Sequence, residues 1–201
     1  MTVALVDYRA GNLTSVAKGL TAAGATVRVA QAPAELSDAE AIVIPGVGHF
    51  SATAALDDDW RRAILQAIDE GRPLLGICLG LQWLFEGSDE MADQPGLGVF
   101  AGRCFELQGD VKVPHVGWNT LARTALRSRL LDGVPADASA YFTHSFAAPL
   151  APETSATTTH GMEFTSVVER GRVAGVQFHP EKSGTAGLRL LANFLTFARG
   201  A

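Results

Sequence analysis

The chain has 201 residues, of which 47% are hydrophobic and 18% are charged, a composition typical of a globular domain that buries a substantial core. Its net charge of −5 and the lack of a Lys/Arg cluster in the sequence argue against nucleic acid and anionic membranes as partners. Two widely separated cysteines, charges too early for a signal peptide and no apolar stretch of bilayer length predict a cytoplasmic protein outside the membrane.

Short apolar runs alternate with helical patterns along the chain. The runs that predict buried strands are 3–6, 26–29, 41–44 and 74–77. The segments with helical spacing of apolar residues are 12–23, 56–71 and 185–198. From 98 to about 176 the pattern changes to shorter strands separated by Gly, Pro and Asp. We therefore expect one α/β domain over 1–201, with an open, mostly parallel, flavodoxin-like sheet, helices on both faces and an antiparallel extension in the second half.

One cysteine lies between a predicted strand and a predicted helix, in Gly76-Ile77-Cys78-Leu79-Gly80. A strand that turns at once into a helix holds its apex residue in a strained conformation, and glycines beside the apex let the chains pass closely. The partial positive charge at a helix N-terminus favours the thiolate, which attacks carbonyl carbons. The sequence therefore suggests a nucleophile at Cys78. This segment alone leaves open the alternative of a buried structural cysteine at a tight turn.

A histidine and a carboxylate follow a later apolar run, in Gly175-Val176-Gln177-Phe178-His179-Pro180-Glu181-Lys182-Ser183. Pro180 favours an extended conformation at His179, and residues two apart in an extended chain project to the same side. A cysteine nucleophile needs a base and a group that orients the imidazole of that base. The sequence therefore predicts that Cys78, His179 and Glu181 form a catalytic triad. Taken singly, His179 and Glu181 have ordinary alternatives, a strand-end histidine and a surface carboxylate.

A glycine-rich segment, Pro45-Gly46-Val47-Gly48-His49-Phe50, follows the run at 41–44, at the sheet edge where open α/β proteins bind ligands. Acyl transfer needs backbone N–H donors aimed at the developing oxyanion. The candidates are the amide of Leu79 and an amide of Val47 or Gly48, and the alternative is a flexible turn. No dinucleotide fingerprint and no metal-ligand spacing of histidines occur in the sequence, so we predict no cofactor and no metal.

Together, the cysteine turn and His179-Pro180-Glu181 resemble the class I glutamine amidotransferases. Four further segments, together with Gln177-Phe178-His179-Pro180-Glu181-Lys182-Ser183, are similar to one subfamily, the glutaminase subunits of imidazole glycerol phosphate synthases, and the resemblance runs nearly end to end. These segments are Asp7-Tyr8-Arg9-Ala10-Gly11-Asn12-Leu13, Pro45-Gly46-Val47-Gly48, Pro114-His115-Val116-Gly117-Trp118-Asn119 and Tyr141-Phe142-Thr143-His144-Ser145-Phe146. The chain departs from the subfamily at Arg9, where glycine is common, and at Phe146, where tyrosine is common.

The resemblance implies that glutamine is hydrolysed through a covalent thioester. Cys78 attacks the side-chain carboxamide, His179 protonates the departing ammonia and Glu181 supports the imidazole. Substrate binding is then expected from Gln82 and from backbone groups around Thr143, Ser145 and Phe146. For Gln82 the alternative is an ordinary polar helix residue.

The resemblance also implies a partner, because nothing in the 201 residues resembles a second catalytic domain. The subfamily's partner in the heterodimer is a (β/α)₈-barrel cyclase. It uses the ammonia to make imidazole glycerol phosphate and an aminoimidazole carboxamide ribonucleotide in histidine biosynthesis. Asn12, Trp118, Tyr141 and Lys182 are the expected interface residues, and core packing is the alternative for Trp118.

Two other functions share part of this pattern. A glutaminase subunit of another synthase, for anthranilate, a purine nucleotide or pyridoxal phosphate, would have the same triad, but the 114–119 segment argues against it. Flavodoxin-like chaperone or stress-response proteins carry an elbow cysteine but generally lack the His-Pro-Glu partner.

A further hypothesis concerns control of the glutaminase activity. If the 45–48 backbone can present either a carbonyl or an N–H to the oxyanion, the isolated subunit is expected to be nearly idle.

Overall fold

The computed structural model describes residues 1–199. The strands are β1 (Thr2–Val6), β2 (Thr26–Ala30), β3 (Ala41–Ile44), β4 (Leu74–Ile77), β5 (Gly87–Ser88), β6 (Met91–Pro95), β7 (Arg103–Glu106), β8 (His115–Thr120), β9 (Ala122–Arg123), β10 (Ser139–His144), β11 (Phe146–Ala147), β12 (Thr154–His160), β13 (Met162–Arg170) and β14 (Val173–Val176). The α-helices are α1 (Leu13–Ala22), α2 (Asp58–Asp69), α3 (Leu79–Leu84) and α4 (Gly184–Arg199). Short 3₁₀ turns cover Pro33–Leu36, Phe50–Ala55 and Pro180–Lys182. The predicted domain also includes residues 200 and 201, which lie outside the described range.

The central sheet has eight strands in the order β2-β1-β3-β4-β14-β13-β12-β9. The first five of these strands pair in parallel. Every residue of β3 and β4 is buried, as expected for parallel strands covered on both faces. Alternation along β1 shows the two faces: Val3 and Leu5 pack in the cluster that includes Leu20 of α1. Ala4 packs in the cluster with residues of α2 and α3.

The second half of the chain extends this sheet. β13, β12 and β9 pair antiparallel, so the predicted antiparallel extension on a mostly parallel α/β sheet is confirmed. β14, the last strand of the 98–176 segment, joins the two parts of the sheet, because it pairs antiparallel with β13 and parallel with β4. Two smaller sheets, β10-β8 and β11-β7-β5-β6, also form, and no pattern in the sequence separates their strands from those of the main sheet. No helix within residues 1–199 has the length and apolar character needed to cross a bilayer.

The sheet order places three loops side by side. β3, β4 and β14 are parallel neighbours, so their carboxyl ends meet at one edge of the sheet. The chain leaves β3 toward Gly46, leaves β4 at Cys78 and leaves β14 toward His179. This is the edge at which open α/β sheets bind their ligands.

Candidate active site

Cys78 occupies a strained apex between β4 and α3. Its backbone angles are φ 52° and ψ −106°, in the region that side chains rarely adopt, and the residue is 4% exposed. The glycines around it are needed for close approach. A Cβ added at Gly80 would collide with the carbonyl oxygen of Ile44, and one added at Gly76 would lie 2.7 Å from the carbonyl oxygen of Gly80. The strained turn expected from the sequence is therefore present.

His179 and Glu181 lie in contact. The distance between His179 Nδ1 and Glu181 Oε1 is 2.9 Å, and the two side chains are only 3% and 2% exposed. The route to this contact differs from the expectation, because only His179 is extended and residues 180–182 form a 3₁₀ turn. The backbone of His179 is also fixed to β10, since its N–H donates to the Tyr141 carbonyl at 2.9 Å.

The imidazole of His179 favours the charged state. Burial alone would lower the pKa of His179, but hydrogen bonding and negative charge from Cys78 and Glu181 outweigh burial and raise the pKa to about 9. Nε2 of His179 makes no hydrogen bond of standard geometry to any described residue. The contact of this ring nitrogen with Cys78 is therefore looser than a standard hydrogen bond, although Cys78 still raises the pKa of His179. Loose contacts of this kind are common in active sites without substrate.

The sulfur of Cys78 faces polar groups of two other elements. Gln177 Nε2 lies 3.7 Å from Sγ, and the Thr143 carbonyl oxygen lies 4.0 Å from it. The buried Gln82 donates from Nε2 to the Phe146 carbonyl at 2.7 Å and to Gln177 Oε1 at 3.3 Å. The amide nitrogen of Gln82 therefore joins α3 to β11 and to the residue beside the sulfur.

A cavity of about 240 Å³ opens beside the sulfur. Its lining includes every residue predicted to bind substrate and two predicted oxyanion residues, namely Gly48, Leu79, Gln82, Thr143, Ser145 and Phe146, together with Cys78. Three lining residues were missed by the sequence analysis: Glu90, Pro114 and His144. Glu90 follows β5 without any motif that would identify it, and the side chain of His144 was not predicted to face the cavity, although His144 lies in the 143–146 segment expected to bind substrate through its backbone.

The predicted oxyanion donors are only partly free. The Leu79 N–H donates to the Gly46 carbonyl at 3.4 Å, a long bond that occupies the donor next to Cys78. The Tyr8 hydroxyl donates to the Pro45 carbonyl at 2.7 Å and so fixes the start of the glycine-rich 45–48 segment. Burial, followed by the charge of Cys78, raises the pKa of Tyr8 and keeps it a donor. Gly48 lines the cavity with φ 101°, whereas the side chain of Val47 is exposed.

Three of the four predicted interface residues form one surface cluster near this edge. Trp118 is 58% exposed and meets Tyr141 edge-to-face, with ring centroids 6.1 Å apart. Lys182 Nζ lies 5.7 Å from the centroid of the Tyr141 ring. The core-packing alternative for Trp118 is therefore wrong. Asn12 is exposed, and its Oδ1 accepts from the Ser15 N–H at 3.1 Å, so it caps α1.

Comparison with known proteins identifies the family. The sequence matches the family model described as "Glutamine amidotransferase class-I" over residues 4–197. The chain belongs to the class I glutamine amidotransferases. A solved structure of PurLQS from Thermotoga maritima shares this amidotransferase's fold, with a TM-score of 0.77 at 18% identity over 98% of each chain.

Close relatives narrow the assignment within the class I amidotransferases. The imidazole glycerol phosphate synthase subunit HisH of Nostoc punctiforme is 46% identical over 98% of this chain and 96% of its own length. The HisH subunit of Deinococcus radiodurans is 47% identical over 96% of this chain and 92% of its own length. The subfamily resemblance is thereby confirmed. The departure at Arg9 has a structural signature, because Arg9 has φ 64°, a conformation that favours the glycine common there.

Proposed function

We propose that this amidotransferase hydrolyses glutamine with Cys78 as nucleophile, His179 as general acid and base, and Glu181 as the group that orients the imidazole. The observation that carries the proposal is the buried His179–Glu181 contact of 2.9 Å beside a cysteine at a strained strand–helix apex. The chain is a HisH-type glutaminase subunit of imidazole glycerol phosphate synthase and acts in histidine biosynthesis.

The chemistry has two stages. The Cys78 thiolate attacks the carboxamide carbon, and the tetrahedral adduct collapses when His179 gives its proton to the leaving nitrogen, which departs as ammonia. A thioester between glutamate and Cys78 remains. Neutral His179 then takes a proton from water, the hydroxide attacks the thioester carbon, and glutamate leaves as the thiolate reforms. Glu181 stabilises the imidazolium in both stages.

The cavity offers groups for the other end of glutamine. Glu90 is the charged side chain in the cavity lining, and its Oε2 is oriented by the Phe50 N–H at 2.7 Å. A carboxylate there suits the α-ammonium group of the substrate. Thr143, Ser145 and Phe146 also line the cavity, and their backbone groups suit its remaining polar atoms. Gln82 takes part by fixing the Phe146 carbonyl.

The oxyanion site is proposed to be closed in the free subunit. The Gly46 carbonyl accepts from the Leu79 N–H, so this donor is not available to an oxyanion. Rotation of the Gly46–Val47 peptide would move the carbonyl away and turn the Val47 N–H inward, which frees one donor and supplies a second. Glutaminase turnover is therefore expected to rise from the lone chain to the complex with cyclase, and again with bound nucleotide. Equal rates in the three states would contradict this mechanism.

The ammonia is proposed to pass to a (β/α)₈-barrel cyclase that docks on the exposed cluster of Trp118, Tyr141 and Lys182. Asn12 is proposed to extend the same heterodimer interface. Free ammonia is mostly protonated at neutral pH, so transfer inside a closed interface keeps it nucleophilic. We place the complex in the cytoplasm, where a reducing environment suits the two free, buried cysteines.

The nucleophile is tested by Cys78→Ala. In the complex with cyclase, we expect the variant to lose glutaminase activity by at least about 10⁴-fold, while synthesis from added ammonia persists. The matched control is Cys104→Ala, since Cys104 is also a free, buried cysteine. A glutamine-analogue electrophile should label the wild-type chain at Cys78 and not at Cys104. Glutamine hydrolysis by Cys78→Ala would show that the nucleophile is another group.

A further inference from the structure

Three histidines from different strands meet in a cluster beside the cavity, in which His115 and His144 are buried and His160 is half-buried. His115 of β8 stacks between Phe142, with ring centroids 4.9 Å apart, and His160, with centroids 4.1 Å apart. His115 Nδ1 lies 3.2 Å from Nε2 of His144, which lines the cavity. His144 Nδ1 lies 2.9 Å from the Phe146 carbonyl oxygen, and Asn119 Nδ2 lies 3.3 Å from His115 Nε2. These contacts form a chain from Asn119 to Phe146.

The direction of every hydrogen bond in this chain follows from its two ends. A carbonyl oxygen only accepts, so His144 Nδ1 carries a proton and donates to Phe146. At the other end, Asn119 Oδ1 accepts from the Thr120 N–H at 2.8 Å and Asn119 Nδ2 donates to the Thr159 carbonyl at 3.0 Å. This orientation leaves Nδ2 as the group that faces His115, so His115 Nε2 accepts. His115 Nδ1 must then donate to His144.

The middle bond requires that both rings are neutral. Burial, with a smaller contribution from neighbouring histidines, lowers the pKa of His144 to about 3 and that of His115 to about 4. The titratable neighbours responsible are His160, which stacks on His115, and His179, whose charge acts on His144. At neutral pH His144 Nε2 is therefore an acceptor, and each ring holds its proton on Nδ1.

We propose that His115 and His144 are positioning residues, which form a one-directional hydrogen-bond relay from Asn119 to the Phe146 carbonyl and thereby hold the glutamine-binding wall. The effect of the relay on glutamine binding rests on the proposed function. The geometry of the relay does not depend on it. Phe146 O accepts from both His144 Nδ1 and Gln82 Nε2, so the two donors together set the direction of this carbonyl. Because β8 also carries the exposed Trp118, the relay connects the docking strand to the substrate wall.

The first test determines which ring nitrogens of His115 and His144 carry protons. Long-range ¹H–¹⁵N correlation spectra of the ¹⁵N-labelled chain at neutral pH should show His115 and His144 as neutral rings protonated on Nδ1. This tautomer is the less common one for a free histidine side chain. Protonation on Nε2, or a charged imidazolium, at either residue would overturn the relay whatever the enzyme's substrate.

The second test measures the consequence for glutamine. His115→Phe keeps an aromatic ring in the stack and removes the donor to His144 and the acceptor for Asn119. In the complex with cyclase, we expect the KM for glutamine to rise about tenfold. The kcat should change less than threefold, because the triad is untouched.

His160→Phe is the matched control, since it makes the same substitution in the same cluster. His160 Nε2 donates to the Lys112 carbonyl at 2.8 Å and lies outside the relay, so its KM should stay within twofold of wild type. An unchanged KM in His115→Phe, an equal rise in both variants, or a loss confined to kcat would overturn the proposal. If Cys78→Ala retained glutaminase activity, the proposed function would fail while the tautomer result still stood.

Discussion

His179 carries a charge in a place where burial disfavours it. Its pKa is raised to about 9 from the ordinary 6.5, with burial opposing the shift and Cys78 and Glu181 producing it. Because the folded state binds this proton more tightly than the unfolded chain, the stabilisation is complete below pH 6.5. It is lost as the pH rises through about 9. The contacts of His179 with Cys78 and Glu181 thus link the protonation state of the imidazole to the stability of the fold.

This linkage predicts a pH effect on His179→Gln. From pH 6.5 to pH 9, the free energy of unfolding of the wild type should fall by up to about 3 kcal/mol more than that of the variant. Urea denaturation at the two pH values measures the difference. The exposed His49→Gln serves as control for loss of a histidine. Parallel pH profiles for wild type and His179→Gln would show that the ring is not held charged by its neighbours.

At the residue scale, the sequence identified groups that lie within short motifs and missed those that tertiary structure brings in. Cys78 is recognisable because a glycine-flanked strand–helix turn is a local pattern, and His179 with Glu181 because they are two residues apart. Glu90 reaches the site from a loop that no motif marks, whereas Gln177 lies in the His179 segment but its contact with Cys78 Sγ could not be predicted from that segment. Their positions depend on how β5 and β14 are placed relative to β4.

Among the elements, α3 depends on a glycine for its close approach to the sheet. Gly80 lies in its first turn, where a Cβ would collide with the Ile44 carbonyl of β3. Gly80→Ala must therefore push α3 away from the sheet, together with the Cys78 apex. We expect a loss of about 3 kcal/mol or more in the free energy of unfolding, and a loss of glutaminase activity.

Gly171→Ala distinguishes this collision from ordinary backbone strain. Gly171 has φ 58°, but no atom lies within 4 Å of an added Cβ. Its replacement should cost only about 1 kcal/mol. Urea denaturation of both variants gives the comparison, and similar losses at the two positions would mean that Gly80 is needed only for its backbone and not for space.

The helices and strands that could be predicted from the sequence are those with a clear hydrophobic pattern. The four-residue runs of β3 and β4 are wholly apolar or glycine, and their predicted bounds match the structure. The two-residue strands β5, β9 and β11 are too short for any period to appear in the sequence. The direction of β14 was also hidden, because a strand that follows an antiparallel neighbour can still pair in parallel on its other side.

On the scale of the whole molecule, the catalytic edge and the exposed aromatic cluster occupy the same end of the sheet. Tyr141 connects them, since its backbone carbonyl accepts from His179 N–H while its ring meets Trp118 and Lys182. A partner that covers these side chains would therefore contact β10, the strand that holds the backbone of His179. Exposed aromatic residues of this kind contribute a large share of binding energy at interfaces.

Trp118→Ala should therefore separate docking from folding. We expect the affinity for the cyclase to fall at least about thirtyfold, because a central aromatic anchor is removed. The free energy of unfolding should stay within about 0.5 kcal/mol of wild type, since Trp118 is largely exposed. Leu65→Ala is the control, as Leu65 is an exposed apolar residue on α2. Titration calorimetry and urea denaturation provide the two measurements. Wild-type affinity in Trp118→Ala would place the interface elsewhere, whereas a large loss of stability would mean that the indole supports the fold rather than the partner.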